Sequence, residues 1–326
     1  MSASMTDVSA PAAIPAARRG VRPFYWSVRR EIWENRGVYL APLAVAGIVL
    51  ASFLFALRHL PDQMRRIAAM AAELNATPGT PTAALALEKL ALGKATAAVA
   101  FPYAAAAGGL MLTALVFAIF YALASLHSER RDRSILFWKS LPVSDLTTVL
   151  SKAAIPLLVL PVATAVVALA TQLVMLAVAT GVLGLSGLDP SLMWSRLDLG
   201  AIWIAIPYGL AVLALWHAPI VGWLMLVSAW AKRMTMLWAL APPAAICLFE
   251  RVALGTTYAW DFLRHRLASG FTVGFTPLPA GQHSIYGAER ADPAHLLANP
   301  GLWGGFIVAG ACLAACVWLR RTRDPI

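Results

Sequence analysis

Charged residues are scarce in this chain. They make up 13% of its 326 residues, whereas hydrophobic residues make up 60%, and the mean hydropathy is +0.71. A soluble domain is about a quarter charged. A chain of this length with so few charges has too little polar surface to stay soluble, so its composition predicts a membrane protein and argues against a soluble domain.

Cysteine is also scarce. Cys247, Cys312 and Cys316 all lie in apolar runs, which gives no basis for a disulfide framework. Cys312 and Cys316 are four residues apart on one predicted helix, but a metal site needs further ligands nearby, and the sequence offers none. We interpret all three as small helix-packing residues, and we predict no bound metal.

Nucleotide-binding and catalytic motifs are missing. The Gly93-Lys94 pair lacks both the first glycine and the Ser or Thr of a G-x-x-x-x-G-K-[ST] loop. H-E-x-x-H, C-x-x-C and G-x-S-x-G are absent as well. The sequence therefore predicts no catalytic residue and no cofactor bound by this chain, and any ATP that drives it must be bound by another chain.

The first 22 residues differ from the rest of the sequence. They are rich in alanine, serine and proline, and they lack the apolar stretch of a cleaved signal peptide. We interpret 1–22 as a disordered cytoplasmic tail, with the first apolar run serving as an uncleaved targeting signal.

Six apolar runs reach the roughly 20 residues that a membrane-spanning helix needs. They cover 38–57, 98–126, 153–183, 201–230, 235–254 and 301–319. The fourth is longer than a bilayer requires, and its two prolines, Pro207 and Pro219, predict that it kinks or tilts. We therefore predict that residues 23–326 form an all-α integral membrane domain with six transmembrane helices.

Positive charges divide unevenly between the two sides of such a bundle. The side with 16 Lys and Arg contains 1–37, 127–152, 231–234 and 320–326. The other side carries 9, and the positive-inside rule assigns the richer side, and with it both termini, to the cytoplasm.

On the outer side, 62–74 and 83–95 are predicted to be helical. Residues 255–300 are predicted to hold a short helix and then a Gly- and Pro-rich loop.

Aromatic and basic side chains are combined in 23–36, directly before the first span. The residues that carry this pattern are Phe24, Trp26, Arg29, Arg30 and Trp33. Aromatic rings beside arginines at a membrane boundary are typical of an amphipathic helix that lies in the interface. The alternative is a plain anchoring flank for the first span.

A charged and aromatic segment separates the second and third spans. Its candidate docking residues are Glu129, Arg130, Arg131, Asp132, Arg133, Phe137, Trp138, Lys139 and Leu141. Pro142 is expected to end any helix that begins near Ser128, and Ser144 or Asp145 to cap the helix that enters the third span. Composition leaves two interpretations open. Exposed aromatics beside arginine are typical of a docking surface, but the rings can equally dip into lipid headgroups while the arginines act as topology signals.

Polar side chains within or near the spans are few: Gln172, His217, Glu250 and Arg251. Ionisable groups in a span are costly and often functional. We interpret Glu250 and Arg251 as marking the outer interface, and His217 as hydrogen-bonding between helices rather than relaying protons.

The G-x-x-x-G pattern at 301–305 predicts close helix packing.

The arrangement as a whole resembles the membrane subunit of an ABC-2 type transporter. The most specific match runs from Glu129-Arg130-Arg131-Asp132-Arg133 through Leu141-Pro142-Val143-Ser144 to Ser151-Lys152. This run is similar to the E-R-x-x-x…L-P-x-S…K run of bacterial ABC-2 permeases. The amphipathic segment, the six spans and the extended region between the last two spans fit the same family.

The resemblance implies roles and partners. Residues 23–36 would be an elbow helix, and about 129–141 a coupling helix seated in a groove of a separate ATPase subunit, which would bind ATP and Mg. Two permease chains, identical or different, would pair in a bacterial inner membrane with two ATPase chains, and ATP-driven closure would rock the membrane halves. The expected activity is export of an amphipathic, lipid-like or toxic peptide or drug substrate, with no nucleic-acid partner.

Two other functions stay open. A membrane-embedded lipid-modifying enzyme would need converging acids and histidines near one interface. The outer segments contain His59, His265, His283, His295, Asp261, Glu289 and Asp292. An ATP-independent secondary transporter would show inverted repeats and polar sites at the midplane, and the sequence shows neither clearly.

Overall fold

The computed structural model describes residues 23–76, 83–132, 143–196, 199–277 and 289–322. Within these ranges the chain is almost entirely helical. The tail predicted over 1–22 and most of the predicted docking segment, 133–142, lie outside the described residues, as does His283.

Six helical segments in the described ranges are long and apolar enough to cross a membrane, which confirms the predicted number. They are Gly37–Leu74, Leu87–Arg131, Asp145–Leu185, Trp203–Trp230, Thr235–Leu254 and Pro300–Thr322. Their number and composition fit a multi-pass membrane protein.

The first part of the chain forms two spans and the helices that flank them. The elements are α1 (Pro23–Glu34), α2 (Gly37–Ala56), a 3-10 turn (Leu57–His59), α3 (Leu60–Ala76), α4 (Ala83–Ser125) and α5 (His127–Arg131).

The sequence predicts separate helices at 83–95 and 98–126, but α4 is one helix of 43 residues. It continues because the joining residues Ala-Thr-Ala-Ala contain no helix breaker. At 1.5 Å per residue α4 is about 64 Å long, roughly twice the hydrocarbon thickness, so it projects beyond the bilayer.

The third span is interrupted by a π turn. It consists of α6 (Asp145–Ala154), the π turn (Ile155–Val159) and α7 (Leu160–Leu185), and it is followed by α8 (Ser191–Arg196) and α9 (Leu199–Trp230). Pro156 and Pro161 lack backbone donors, so the helical ladder widens here and Leu160 N–H donates to the Ile155 carbonyl. Ser144 caps the helix that enters this span, which confirms one of the two predicted caps, and its side chain accepts from the Thr147 amide at 3.1 Å.

The last part of the chain contains the fifth and sixth spans and the region between them. The elements are α10 (Thr235–Phe249), a π turn (Glu250–Leu254), α11 (Tyr258–Ala268), a 3-10 turn (Ser269–Phe271), β1 (Phe275–Pro277), β2 (Glu289–Ala291), α12 (Pro293–Ala298) and α13 (Pro300–Thr322). The short helix predicted after the fifth span is present as α11. Where the sequence predicts only a loop, β1 and β2 pair antiparallel, with Phe275 opposite Ala291.

The central helix of the bundle is α9. It remains one helix of 32 residues through Pro207 and Pro219, and it packs against α4, α7 and α13. Gly222 permits a close approach of α13, because a Cβ at this position would lie 3.2 Å from the Ala309 Cα. By contrast, only 11% of the most apolar stretch of the fifth span is buried, so most of α10 faces outward.

Candidate functional site

Charged side chains from four helices meet inside the protein at one end of the bundle. They are Glu31 of α1, Glu129 of α5, Lys152 of α6 and Arg320 of α13, with side chains between 1% and 8% exposed. Together with Arg30, Asp145 and Tyr121 they form what we call the ionic network. Charged groups are rarely this buried unless they are paired, so the contacts within the network decide what it does.

Lys152 lies at the centre of the ionic network. Its Nζ is 2.8 Å from Glu31 Oε1 and 3.1 Å from Glu129 Oε1, so a single ammonium group bridges α1 and α5. Tyr121 of α4 donates its hydroxyl proton to Glu31 Oε2 at 2.8 Å. The start of the third span is thus bonded to the amphipathic helix and to the end of the second span.

Arg320 extends the ionic network to the sixth span. Its Nη1 lies 2.6 Å from Glu129 Oε2, and its Nε lies 2.8 Å from Asp145 Oδ1. Arg30 closes the other side, with its Nη2 2.9 Å from Glu31 Oε1 and 3.5 Å from Glu129 Oε1. Cations and carboxylates therefore alternate, and each buried charge has an opposite charge beside it.

Because its charges are buried, the ionic network loses much free energy when any one of its charges is removed. Each ion loses hydration worth several kcal/mol, which the pairing offsets, and removing one partner of a buried pair costs about 3–5 kcal/mol. A network of this kind contributes little net stability compared with an apolar core, but it strongly disfavours any arrangement that separates its charges. We infer that it fixes α1, α5, α6 and α13 in one relative position.

The α5 helix is also bonded to the end of α9. The Ser228 hydroxyl accepts from the amides of Leu126 and His127 at 3.0 and 2.9 Å. His127 Nδ1 lies 3.1 Å from the Ala231 carbonyl, and Arg130 Nη1 donates to the Ala229 carbonyl. The base of the segment between spans two and three is therefore attached to the fourth span as well as to the ionic network.

The predicted docking residues divide into three groups. Glu129 and Arg130 are buried, and their side chains bond inside the protein. Arg131 and Asp132 are 68% and 59% exposed and pair with each other at 3.0 Å. The remaining five lie outside the described residues: Arg133, Phe137, Trp138, Lys139 and Leu141. An exposed contact surface is therefore compatible with Arg131 and Asp132, whereas Glu129 and Arg130 anchor the segment from beneath.

A cleft of about 490 Å³ opens beside the ionic network between α1, α4 and α5. Its walls include Glu31, Glu34, Glu129, Asp132 and Lys152. Partial burial raises the pKa of Glu34 above its ordinary value, and the neighbouring charges of Glu31 and Glu129 act in the same direction, while Arg30 and Lys152 oppose them. The cleft gives water access to one side of the network.

The residues of α1 that were predicted to lie in the membrane interface point in two directions, some into the protein and others outward. Arg30 turns inward to the ionic network, as described above. Phe24, Trp26 and Trp33 are 45%, 53% and 64% exposed. Between the two tryptophans lies Arg29, whose Cζ is 5.1 Å from the Trp26 ring centroid and 4.5 Å from that of Trp33. The helix is amphipathic, with paired charges on its inner side and aromatic rings on its exposed side.

Two of the predicted intramembrane polar residues, Gln172 and His217, contact backbone carbonyls. Gln172 Nε2 donates to the Tyr103 carbonyl at 2.9 Å. His217 Nδ1 lies 2.8 Å from the Leu213 carbonyl, and its Nε2 lies 3.4 Å from the Leu267 carbonyl on α11.

At the C-terminal end of the fifth span, Glu250 caps the start of α11. It accepts from the Tyr258 and Ala259 amides and from the Thr256 hydroxyl. Arg251, the next residue, is exposed. These contacts give Glu250 a helix-capping role.

Arg266 is a buried residue that the sequence analysis missed. Its guanidinium lies 4.1 Å from the Trp216 ring centroid, and its Nη1 donates to the Gly301 carbonyl at 2.8 Å. Gly305 makes room for it, because any Cβ there would clash with the guanidinium. The second glycine of the G-x-x-x-G pattern thus leaves space for an arginine from α11, and Arg266 attaches the region between the fifth and sixth spans to α9 and α13.

Three of the histidines and acids considered for an enzyme site, His265, His295 and Asp292, make local contacts. The His265 ring stacks edge-on against Trp216 with centroids 5.8 Å apart, and His295 Nδ1 lies 3.1 Å from the Val273 carbonyl. Asp292 caps α12 by accepting from the His295 amide at 3.0 Å. Across the described ranges, no three His, Cys, Asp or Glu residues are grouped so that they could hold a metal ion.

Comparisons with protein-family models, with curated proteins and with solved structures gave no match.

Proposed function

We propose that this chain is the membrane-spanning permease subunit of an ABC-2 type ATP-driven exporter. The observation that carries the proposal is the attachment of α5. The short helix directly before 133–142 is bonded through Glu129 to Lys152 and Arg320, and through Arg130 to the end of α9. A force applied at the exposed residues Arg131 and Asp132 would reach the second, third, fourth and sixth spans through these bonds.

A separate ATPase subunit is the partner that this arrangement suits. The segment 128–142 would dock in a groove of that subunit, with Phe137 and Trp138 as apolar anchors and Arg131 and Asp132 orienting the contact. ATP and Mg would be bound by the partner, and this chain would have no catalytic residue of its own. Closure of the ATPase dimer would push α5, and the ionic network would carry that displacement into the bundle as a rigid-body movement.

The proposal also covers the amphipathic helix, the two termini, a second permease chain and the substrate. Residues 23–36 act as an elbow helix in the cytoplasmic interface, and both termini are cytoplasmic. A second permease chain completes the path across a bacterial inner membrane. The substrate class is amphipathic: a lipid-like molecule, a drug or a toxic peptide.

The docking part is tested by a paired substitution. Phe137→Ala with Trp138→Ala is expected to abolish co-purification of a soluble ATPase while membrane insertion and yield stay normal. The matched control is Trp194→Ala with Phe271→Ala, which removes the same two ring types at the opposite end of the bundle, where they are 47% and 40% exposed. Co-purification that is unchanged in the first pair, or equally reduced in both pairs, would contradict docking through 128–142.

A further inference from the structure

We propose that the outward face of α1 carries a binding site for the phosphate of an anionic phospholipid, built around Arg29. This inference needs the chain to span a membrane, but it does not depend on the transporter proposal. It concerns the face of α1 that points away from the ionic network.

The site consists of one cation held between two rings. Trp26, Arg29 and Trp33 follow each other at spacings of three and four, so they share one face of α1. Arg29 lies against both indole rings at the distances given above. Two stacked rings restrict the guanidinium to a narrow set of orientations and leave its edge, which carries the N–H donors, free to meet a ligand.

Arg29 has a different environment from Arg30. Arg30 pairs with Glu31, Glu34 and Glu129. Within the described ranges, no carboxylate forms an ion pair with Arg29. A guanidinium that is oriented by rings and has no acid partner in these ranges is suited to an external anion.

The bilayer is the source of that anion that the fold favours. The first residue of α2, Gly37, follows the end of α1 after only two residues, and α2 turns Tyr39, Leu40 and Leu43 outward. Because these side chains begin a lipid-facing surface, the neighbouring α1 lies at headgroup level. Tryptophan is enriched at this level, and the phospholipid phosphate lies there too.

Arginine suits this ligand better than lysine. Its planar fork can donate two parallel hydrogen bonds to a phosphate, whereas an ammonium acts as a point charge. The attraction of one basic residue to an anionic leaflet corresponds to about a fivefold change in local lipid occupancy. A preference of this size is measurable by competition.

The test uses the full chain in vesicles of phosphatidylcholine that contain a small fraction of photoactivatable phosphatidylglycerol. Crosslinked lipid is quantified by mass spectrometry and mapped to peptides covering 23–36. The expected result is labelling of α1 that unlabelled phosphatidylglycerol suppresses and phosphatidylcholine does not. Labelling that both lipids suppress equally would mean that α1 merely touches the bilayer, and would overturn the proposal.

Variants separate a built site from general attraction. Arg29→Gln should reduce labelling more than about fivefold, because it removes the hydrogen bonds to the phosphate as well as the general attraction of one charge. Arg36→Gln makes the same charge change at an exposed position that has no ring contact among the described residues, so it should have a much smaller effect. Arg29→Lys should fall between wild type and Arg29→Gln. Equal losses in Arg29→Gln and Arg36→Gln, or no loss in either, would contradict the site.

A second arm distinguishes lipid from soluble phosphate. Inorganic phosphate and glycerol phosphate added to the vesicles should leave the labelling unchanged, because the indoles place Arg29 at the membrane surface. Full competition by either anion would show a soluble-anion site and would overturn the lipid assignment. Circular dichroism of each variant checks that α1 and the bundle remain folded.

Discussion

Replacing Lys152 with methionine removes the ammonium group that bridges two buried carboxylates. Methionine keeps the apolar length of the side chain, so packing changes little. Glu31 and Glu129, which are 1% and 8% exposed, would then face each other with one fewer cation. Breaking a buried pair in this way costs about 3–5 kcal/mol, a large part of the roughly 5–15 kcal/mol that stabilises a typical domain.

Thermal unfolding in a mild detergent measures this effect, followed by tryptophan fluorescence and by size-exclusion chromatography. Lys152→Met should lower the melting temperature substantially. Arg131→Gln is the matched control, because its ion pair with Asp132 is exposed and is worth about 0–1 kcal/mol. Adding Glu31→Gln to Lys152→Met should restore part of the loss, since it removes one of the stranded carboxylates.

Two results would refute this reasoning. Equal melting temperatures for Lys152→Met and Arg131→Gln would mean that the Lys152 contacts are not buried as described. A double variant whose loss is the sum of the two single losses would mean that Glu31 and Lys152 are not coupled.

Three further predictions concern other parts of the chain. Gly305→Ala should displace Arg266 and loosen α11. Faster proteolysis of the region between the fifth and sixth spans would reveal this change, whereas unchanged proteolysis would contradict the close packing. Burial raises the pKa of Glu34, so the folded chain favours its neutral form, and Glu34→Gln should raise the melting temperature at neutral pH. This difference should vanish as pH falls below about 4.5, where the wild-type carboxyl is protonated in both states, and a difference that grows on acidification would show the opposite shift. In a cysteine-free background, Arg131→Cys should be labelled from the cytoplasm and Ser191→Cys from outside, and the reverse would overturn the proposed orientation.

The spans were predictable because their signals are local. Length and hydropathy depend on consecutive residues, and so does the capping of α6 by Ser144. The unbroken α4 was missed because the prediction ended its two helices at the expected membrane edge, while the chain contains no breaker there. The pairing of β1 with β2 joins short segments whose alternation is too brief to detect.

The ionic network was not predictable from local patterns. Lys152 is 121 residues from Glu31, and Arg320 is 191 residues from Glu129, so each pair forms only once the bundle is assembled. In the sequence, Arg320 has the appearance of a topology signal at the end of a span. Glu129 and Arg130 look like exposed charges for the same reason, although their partners on other helices bury them.

The measurement that tests the central claim most directly is a mild-detergent pull-down of the tagged chain from its native membrane, with an ATPase assay on the eluate. The proposal predicts a soluble ATPase in stoichiometric amount, retained by the wild type and lost when Phe137 and Trp138 are both replaced by alanine. A stable, well-folded membrane protein that brings down no ATPase would contradict the proposal. That result would favour a membrane-embedded enzyme or an ATP-independent transporter instead.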